Sequence, residues 1–145
     1  DVGCSHTIGY WKTNAGFGPK AEDITPILQN RISTPDGARS INVTNAALAV
    51  QLLSQNVYGE PSNGITKLYA QLLGAKLSMA DGASGSVIAA TVADADAFLA
   101  NYDWTAWSGL SRTTRNRVSY WLGILDNYNN GLIGPGHCDE VSVTM

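Results

Sequence analysis

The chain has 145 residues and a mass of 15.4 kDa, which is the length of one ordinary domain with a single core. Only 14% of the residues are charged, against a typical fraction of about 25%, and the net charge of −3 gives no general attraction to nucleic acid or to an anionic membrane surface. No stretch approaches the about 20 consecutive apolar residues of a membrane span, so we expect no membrane insertion.

The first 43 residues are predicted to form a loop-rich segment that wraps the rest of the domain. Between Thr7 and Arg39 the chain is rich in Gly and Pro, with one short helical candidate around residues 26–31. Aromatic side chains would anchor this segment on the core, namely Tyr10, Trp11 and Phe17.

Residues 44–131 are predicted to form a helical core. Apolar residues recur there at the three- and four-residue spacing of amphipathic helices, and three of the four stretches follow a polar residue that can cap a helix. The first two helices are expected from a cap at Thr44 or Asn45 to about Gln55, and from Ile65 to near Asp81. The next two are expected from a cap at Ser84 or Ser86 to Tyr102, and from a cap at Ser111 to the turn at Asn129-Asn130-Gly131. We therefore predict a mainly α fold, a compact bundle of about four helices.

Residues 132–145 are predicted to form a tail that carries a short β-strand. The segment from Val141 to Met145 alternates apolar and polar residues and is rich in β-branched side chains, as is typical of a half-buried strand. This strand could pair with residues 40–43, with the N-terminal residues or with another molecule. No repeat or linker divides the chain, so residues 1–145 are expected to form a single domain.

The two cysteines, Cys4 and Cys138, lie close to opposite ends of the chain. A disulfide between them would close a loop of about 135 residues and remove on the order of 5 kcal/mol of unfolded-state entropy. Two free thiols or two thiolate ligands of a metal are the alternatives that the count leaves open. Sparse charge and few Lys favour an exported protein, and the segment from Asp1 to Cys4 lacks a signal-peptide pattern. We expect a soluble or already processed chain in an extracellular or cell-surface location.

Three ordered motifs give the chain a resemblance to a family of secreted bacterial proteins. A GYWK motif at residues 9–12 follows the first cysteine, NGITKLYAQLL occupies residues 63–73, and LDNYNNG at residues 125–131 precedes GPGHC at residues 134–138. The resemblance spans nearly the whole chain and implies export, a Cys4–Cys138 disulfide and no particular catalytic activity. Family sequences often have His after the GYWKT or GYWKN string, where this chain has Asn14, which argues against a metal ligand or base at that position.

The disulfide would bring both histidines of the chain close to carboxylates. A metal ion held by His6, His137 and Asp139 is one interpretation of this cluster. However, neither half of the cluster has the ligand spacing of a zinc motif, and oxidised cysteines cannot coordinate a metal. The sequence therefore favours polar residues around a surface disulfide, and we predict no metal and no cofactor.

No other constellation predicts an enzyme. Ser5 could act as a nucleophile with His6 or His137, but the chain has no G-x-S-x-G elbow and no evident oxyanion hole. The segment from Asp126 to Gly131 resembles the front of a calcium loop, but Tyr128 stands where the third position needs a ligand. The interpretation of this segment as a helix stop is preferred.

Two surface features favour binding instead of catalysis. Trp104 and Trp107 lie in a short, turn-prone link between helices, where their rings could stack on sugars or fill a groove of a partner. The competing interpretation is that both rings close one end of the bundle. In addition, Asn42 begins an Asn-Val-Thr sequon for N-glycosylation.

The tail favours assembly. If the apolar residues Val141, Val143 and Met145 form a strand, its unpaired backbone could extend the sheet of a neighbouring copy. Head-to-tail addition of this kind does not close, so it builds a filament. We therefore expect a secreted structural or interaction module, with the subunit of an extracellular filament as its sharpest form. A carbohydrate-binding module is the alternative, and a metal-dependent extracellular enzyme is disfavoured.

Overall fold

The computed structural model describes residues 3–14, 30–31, 37–55 and 58–138, which form a mainly helical fold. The elements are, in chain order, α1 (Ile8–Asn14), β1 (Asn30–Arg31), β2 (Asn42–Val43), α2 (Ala46–Ser54), α3 (Gly64–Ala80), a 3₁₀ helix (Ser86–Ile88), α4 (Ala89–Leu99), a further 3₁₀ helix (Trp104–Gly109) and α5 (Arg112–Asn129). The predicted bundle of about four helices is confirmed and consists of α2, α3, α4 and α5. Across this described part of the chain, no helix combines the length and the apolar character that crossing a bilayer requires.

Side chains cap the first turns of α2, α3 and α5. Asn45 Oδ1 accepts a hydrogen bond from the Leu48 N–H (2.8 Å), and Ser111 Oγ accepts one from the Thr114 N–H (3.2 Å). Asn63 Oδ1 accepts hydrogen bonds from two backbone N–H groups in the first turn of α3. Because such a cap satisfies N–H groups that have no partner within the helix, it fixes where the helix begins. The predicted caps at Asn45 and Ser111 are confirmed.

The structure differs from the prediction at both ends of α4. A serine was expected to cap this helix, but Ser86 begins a 3₁₀ helix that leads directly into α4, and neither helix has a side-chain cap. At the other end α4 stops at Leu99, before the expected Tyr102. The Ala100 carbonyl just after the helix accepts a hydrogen bond from the Arg39 N–H (3.1 Å). Because Arg39 lies far away in the sequence, this contact could not be predicted from the residues around α4.

The central helix of the bundle is α3. It packs against α2 and α5 and also contacts α1, so most of its side chains are buried. An ion pair between Lys76 Nζ and Asp96 Oδ1 (2.8 Å) connects α3 to α4. The largest fully buried side chains of the described residues are Trp11, Tyr69, Tyr128, Leu52, Leu53, Ile65, Leu68, Leu72, Leu73, Leu77 and Ile88.

The N-terminal segment contains a helix, α1, where the sequence predicts a loop. Its first turn is supported by Thr7, whose Oγ1 accepts a hydrogen bond from the Tyr10 N–H (3.1 Å). Trp11 is buried, and its Nε1 donates a hydrogen bond to Ser78 Oγ on α3 (3.1 Å). This tertiary contact holds α1 in place. Phe17, the other expected anchor, lies outside the described residues.

The short helix expected around residues 26–31 lies largely outside the described residues, but its last two residues form β1. This strand pairs with β2 in an antiparallel arrangement, with Asn30 opposite Val43 and Arg31 opposite Asn42. An extended backbone therefore replaces the expected helix at Asn30 and Arg31, because pairing with β2 satisfies their backbone groups.

The end of α5 matches the helix stop expected there. Asn130 Nδ2 donates a hydrogen bond to the Asp126 carbonyl (2.9 Å), and Gly131 has the left-handed φ of +77° that glycine adopts without strain. The helix-stop interpretation is confirmed.

Candidate functional site

A disulfide joins Cys4 to Cys138, with the two Cα atoms 5.0 Å apart. Ser5 and His137 form a parallel bridge beside it, in which the Ser5 N–H donates to the Gly136 carbonyl (2.9 Å) and the Cys138 N–H donates to the Ser5 carbonyl (2.8 Å). The predicted disulfide is confirmed, which rules out free thiols and thiolate ligands. Ser5 Oγ is buried and donates to the Tyr128 carbonyl (2.8 Å), so this hydroxyl fastens the bridge to α5.

The two histidines have different surroundings. His6 is buried and stacks on Tyr10, with the ring centroids 3.5 Å apart, and meets the Trp11 ring edge to face. The backbone N–H of His6 also donates to Ser78 Oγ (3.1 Å), the same hydroxyl oxygen that accepts a hydrogen bond from Trp11 Nε1. His137 lies at the surface in the parallel bridge. The His6 ring thus belongs to the aromatic packing of α1.

Three further predicted site positions lie in the tail, namely Val141, Val143 and Met145. They lie outside the described residues, as does the metal candidate Asp139. Among the residues that the structure describes, no group of three or more His, Cys, Asp or Glu side chains could hold a metal ion. The interpretation of His6, His137 and Asp139 as a metal site therefore gains no support from the described part.

The link between α4 and α5 forms the 3₁₀ helix Trp104–Gly109, and Asp103 caps it. The Asp103 carboxylate accepts hydrogen bonds from the Thr105 N–H (2.9 Å) and from the Thr105 hydroxyl, and it pairs with Arg39 (2.9 Å). The hydrogen bond from the Thr105 hydroxyl is the main cause that lowers the pKa of the Asp103 carboxyl. This carboxylate therefore holds the start of the link in a defined conformation.

Hydrogen bonds hold the backbone of Trp104 in place, whereas its side chain is exposed. Its N–H donates to the Tyr69 hydroxyl oxygen (3.1 Å), and its carbonyl accepts from Asn63 Nδ2 (2.9 Å). Burial raises the pKa of Tyr69, so this hydroxyl stays neutral even well above physiological pH. The Trp104 side chain is 36% exposed. A large aromatic ring thus lies at the surface on a fixed backbone.

Trp107 is partly buried and packs between α3 and α5. Its ring lies against Gly64, where a Cβ atom would overlap the ring, and the Arg115 guanidinium lies over it at 4.9 Å from the ring centroid. Arg115 also donates hydrogen bonds to the Trp107 carbonyl (3.1 Å) and the Ser108 carbonyl (2.9 Å). Trp107 therefore closes this end of the bundle, whereas Trp104 offers the more exposed ring.

An open groove of about 360 Å³ runs beside the two tryptophans. Its lining comes from the turn before α3 and from the 3₁₀ helix, and consists of Gly59, Glu60, Ser62, Asn63, Trp104, Thr105, Trp107 and Ser108. Asn63 and Thr105 are used in internal hydrogen bonds. Within the described ranges, no group hydrogen-bonds the Glu60 carboxylate or the Ser62 and Ser108 hydroxyls. The groove therefore combines an exposed ring with unused polar groups.

The sequence does not predict that the turn before α3 lines the groove at Trp104. The signal was present as Gly59-Glu60-Pro61-Ser62-Asn63, a turn-rich string, but nothing in it indicates which distant residues it faces.

A second groove, of about 380 Å³, lies between α3 and α5 and is lined by Gln55, Lys67, Gln71, Leu122, Gly123 and Asp126. Among the described residues, no aromatic side chain lines this groove. Two of its polar side chains, Gln71 and Asp126, are used between the helices, since Gln71 Nε2 donates to Asp126 Oδ1 (3.3 Å) and Gln71 Oε1 accepts from Asn129 Nδ2 (2.8 Å). These groups serve to join the two helices. The groove at Trp104 is therefore the stronger candidate for a ligand.

The sequon residue Asn42 lies in β2, and its side chain is exposed. Such exposure is what attachment of a glycan requires.

Comparison with family models, with curated proteins and with solved structures finds no match for this chain.

Proposed function

We propose that this protein is a secreted structural or interaction module. More specifically, we propose that it is the subunit of an extracellular filament that assembles through its terminal segments. The observation that carries the proposal is the Cys4–Cys138 disulfide. Structural disulfides persist in oxidising compartments outside the cytosol. The resemblance of the GYWK and GPGHC motifs to a family of secreted bacterial proteins supports the same location. We also propose that this chain belongs to that family.

The disulfide also provides a fixed base for the tail. The bridge between Ser5 and His137 holds the chain on α5, and the predicted strand at residues 141–145 follows shortly after it in the sequence. A strand formed by Val141, Val143 and Met145 could then extend a sheet of the next copy. Because each copy would give one tail and receive another, the contact would repeat from copy to copy, and it builds a filament where the rotation between neighbours does not close a ring.

Apolar side chains beside this base support a contact between copies. Leu132 is 73% exposed and Val87 is 54% exposed. Val87 lies close to Gly134, in the segment that leads to Cys138. Burial of such side chains favours association, and a surface with few Lys and Glu loses little side-chain entropy when two copies meet.

Electron microscopy and sedimentation of the full chain test this proposal. We expect filaments from the wild-type protein and their loss on deletion of residues 141–145 or on replacement of Val141, Val143 and Met145 by Ser. A matched control replaces the polar tail residues Ser142 and Thr144 by Ala and should keep the filaments. A wild-type protein that remains monomeric at high concentration, with the same sedimentation after the deletion, would refute the filament.

Carbohydrate binding is a second candidate function, and one observation favours it. The exposed Trp104 ring lies in a groove whose polar groups at Glu60, Ser62 and Ser108 are unused. Tryptophan faces and hydrogen-bonding side chains are the two means by which proteins hold amphipathic rings. A metal-dependent enzyme is not proposed.

A further inference from the structure

We propose that the groove at Trp104 binds a sugar unit of a neutral oligosaccharide, with the Trp104 ring as the stacking surface and Glu60 as the main hydrogen-bond acceptor. This inference rests on the second candidate function and is independent of filament assembly. It assigns distinct roles to the two tryptophans, since Trp107 supports the site and Trp104 contacts the ligand.

The fold itself holds the Trp104 backbone in place. Hydrogen bonds to Tyr69 and from Asn63 hold both sides of its backbone, and Asp103 caps the turn on which it lies. Binding therefore costs little conformational entropy of the protein. A side chain that served only to fill the core would not need to remain 36% exposed on so fixed a backbone.

The shape of the groove depends on Gly59. Gly59 lies at the edge of the groove with a φ of +97°, and a Cβ atom there would lie 3.4 Å from two atoms of Trp104 and overlap the Thr66 hydroxyl. Glycine at position 59 therefore lets the turn before α3 pack closely against Trp104 and Thr66, which sets one wall of the groove. The groove volume of about 360 Å³ falls within the range of about 300–1,000 Å³ that is usual for small-ligand sites.

The polar groups of the groove indicate the chemistry of the ligand. The Glu60 carboxylate can only accept hydrogen bonds, whereas the Ser62 and Ser108 hydroxyls can donate and accept, so the set matches the hydroxyl groups of a sugar. The apolar face of the sugar ring would lie on Trp104. The negative charge of Glu60 disfavours acidic sugars, because two carboxylates would repel each other. The groove therefore fits a neutral sugar better than a uronic or sialic acid.

Binding of the full-length protein to a printed array of neutral and acidic oligosaccharides, followed by titration calorimetry with the strongest neutral probe, tests the site. The measurement is made at a concentration where sedimentation shows monomers. We expect Trp104→Ala to weaken binding by about tenfold or more and Trp104→Phe to weaken it less, since a smaller ring still offers a face. Glu60→Gln should reduce the preference for neutral over acidic probes.

The matched control is Tyr120→Ala, because Tyr120 is an aromatic residue that is 67% exposed on α5, away from the groove. This variant should bind as the wild type does. Thermal unfolding by circular dichroism shows whether each variant is folded, and Trp104→Phe keeps the test valid if Trp104→Ala unfolds. Neutral probes that bind Trp104→Ala and Trp104→Phe as tightly as wild type would overturn the site but leave carbohydrate binding standing. Binding of acidic probes alone would overturn the neutral-sugar site, and an array on which no oligosaccharide binds would overturn carbohydrate binding as well.

Discussion

Two helical glycines, Gly64 and Gly123, have opposite surroundings. Gly64 begins α3 beneath the Trp107 ring, which Arg115 holds from the other side. Gly123 lies exposed in α5, and a Cβ atom there would meet nothing within 4 Å. Glycine is therefore required by packing at the first position and only lowers helix stability at the second.

Alanine substitutions at the two positions should change stability in opposite directions. We expect Gly64→Ala to lower the free energy of unfolding by about 1–3 kcal/mol, because the new methyl group overlaps the Trp107 ring. Gly123→Ala should raise it by about 0.5–1 kcal/mol, because alanine loses less backbone entropy in a helix. Urea unfolding followed by circular dichroism measures both changes. A Gly64→Ala variant as stable as Gly123→Ala would show that Trp107 is not held as described.

The helix caps could be predicted from the sequence because they depend only on neighbouring residues. Asn45 and Ser111 could be identified as caps because a cap bonds to backbone two or three residues ahead. The different exposure of Trp104 and Trp107 could not be predicted in this way. It depends on Tyr69, 35 residues before Trp104, and on the contact of Trp107 with Gly64.

At the scale of elements, apolar periodicity located α2, α3 and α5 because each buries a continuous stripe. It did not locate α1, since that helix is short and depends on contacts of Trp11 with Ser78 of α3. The same limit applies to the groove, whose two sides come from the turn before α3 and from the link after α4. The apolar pattern within one element does not predict which other elements that element contacts.

Buried tyrosine hydroxyls join elements of the fold. The Tyr69 hydroxyl of α3 accepts from the Trp104 N–H, and the Tyr128 hydroxyl of α5 donates to the Ser84 carbonyl (2.8 Å). Burial raises the pKa of both hydroxyls. In the unfolded chain, tyrosine loses its proton near pH 10. Above that pH the unfolded state ionises before the folded state, so the contribution to stability is complete below pH 10 and is lost as the pH rises.

The free energy of unfolding should therefore fall as the pH rises from about 9 to 11, with tyrosine ionisation as a cause. Tyr128→Phe and Tyr69→Phe should each be less stable at pH 8 but show a shallower decline, because one perturbed hydroxyl is gone. Tyr120→Phe, which removes an exposed hydroxyl, serves as the control and should keep the wild-type slope. Denaturant titrations at a series of pH values measure the slopes, and equal slopes in all four proteins would contradict the assignment.

At the scale of the whole molecule, one covalent bond connects residues that are 134 positions apart. The positions of the two cysteines in the sequence suggested this bond, whereas the parallel bridge that accompanies it arises from the tertiary packing of Ser5 on α5. The bond and the bridge together hold Ser5 and His137 on the end of α5.

Removal of the disulfide tests how much the folded state depends on this closure. The Cys4→Ala/Cys138→Ala variant should lose about 3–5 kcal/mol of unfolding free energy, because the unfolded chain gains the entropy of an open loop of this length. Urea unfolding measures the loss, and the wild-type protein reduced with a phosphine should show the same value. A loss below about 1 kcal/mol in both would contradict loop closure as a main source of stability. A domain with ordinary stability of about 5–15 kcal/mol would be left marginal by the expected loss, so its folding would favour an oxidising compartment.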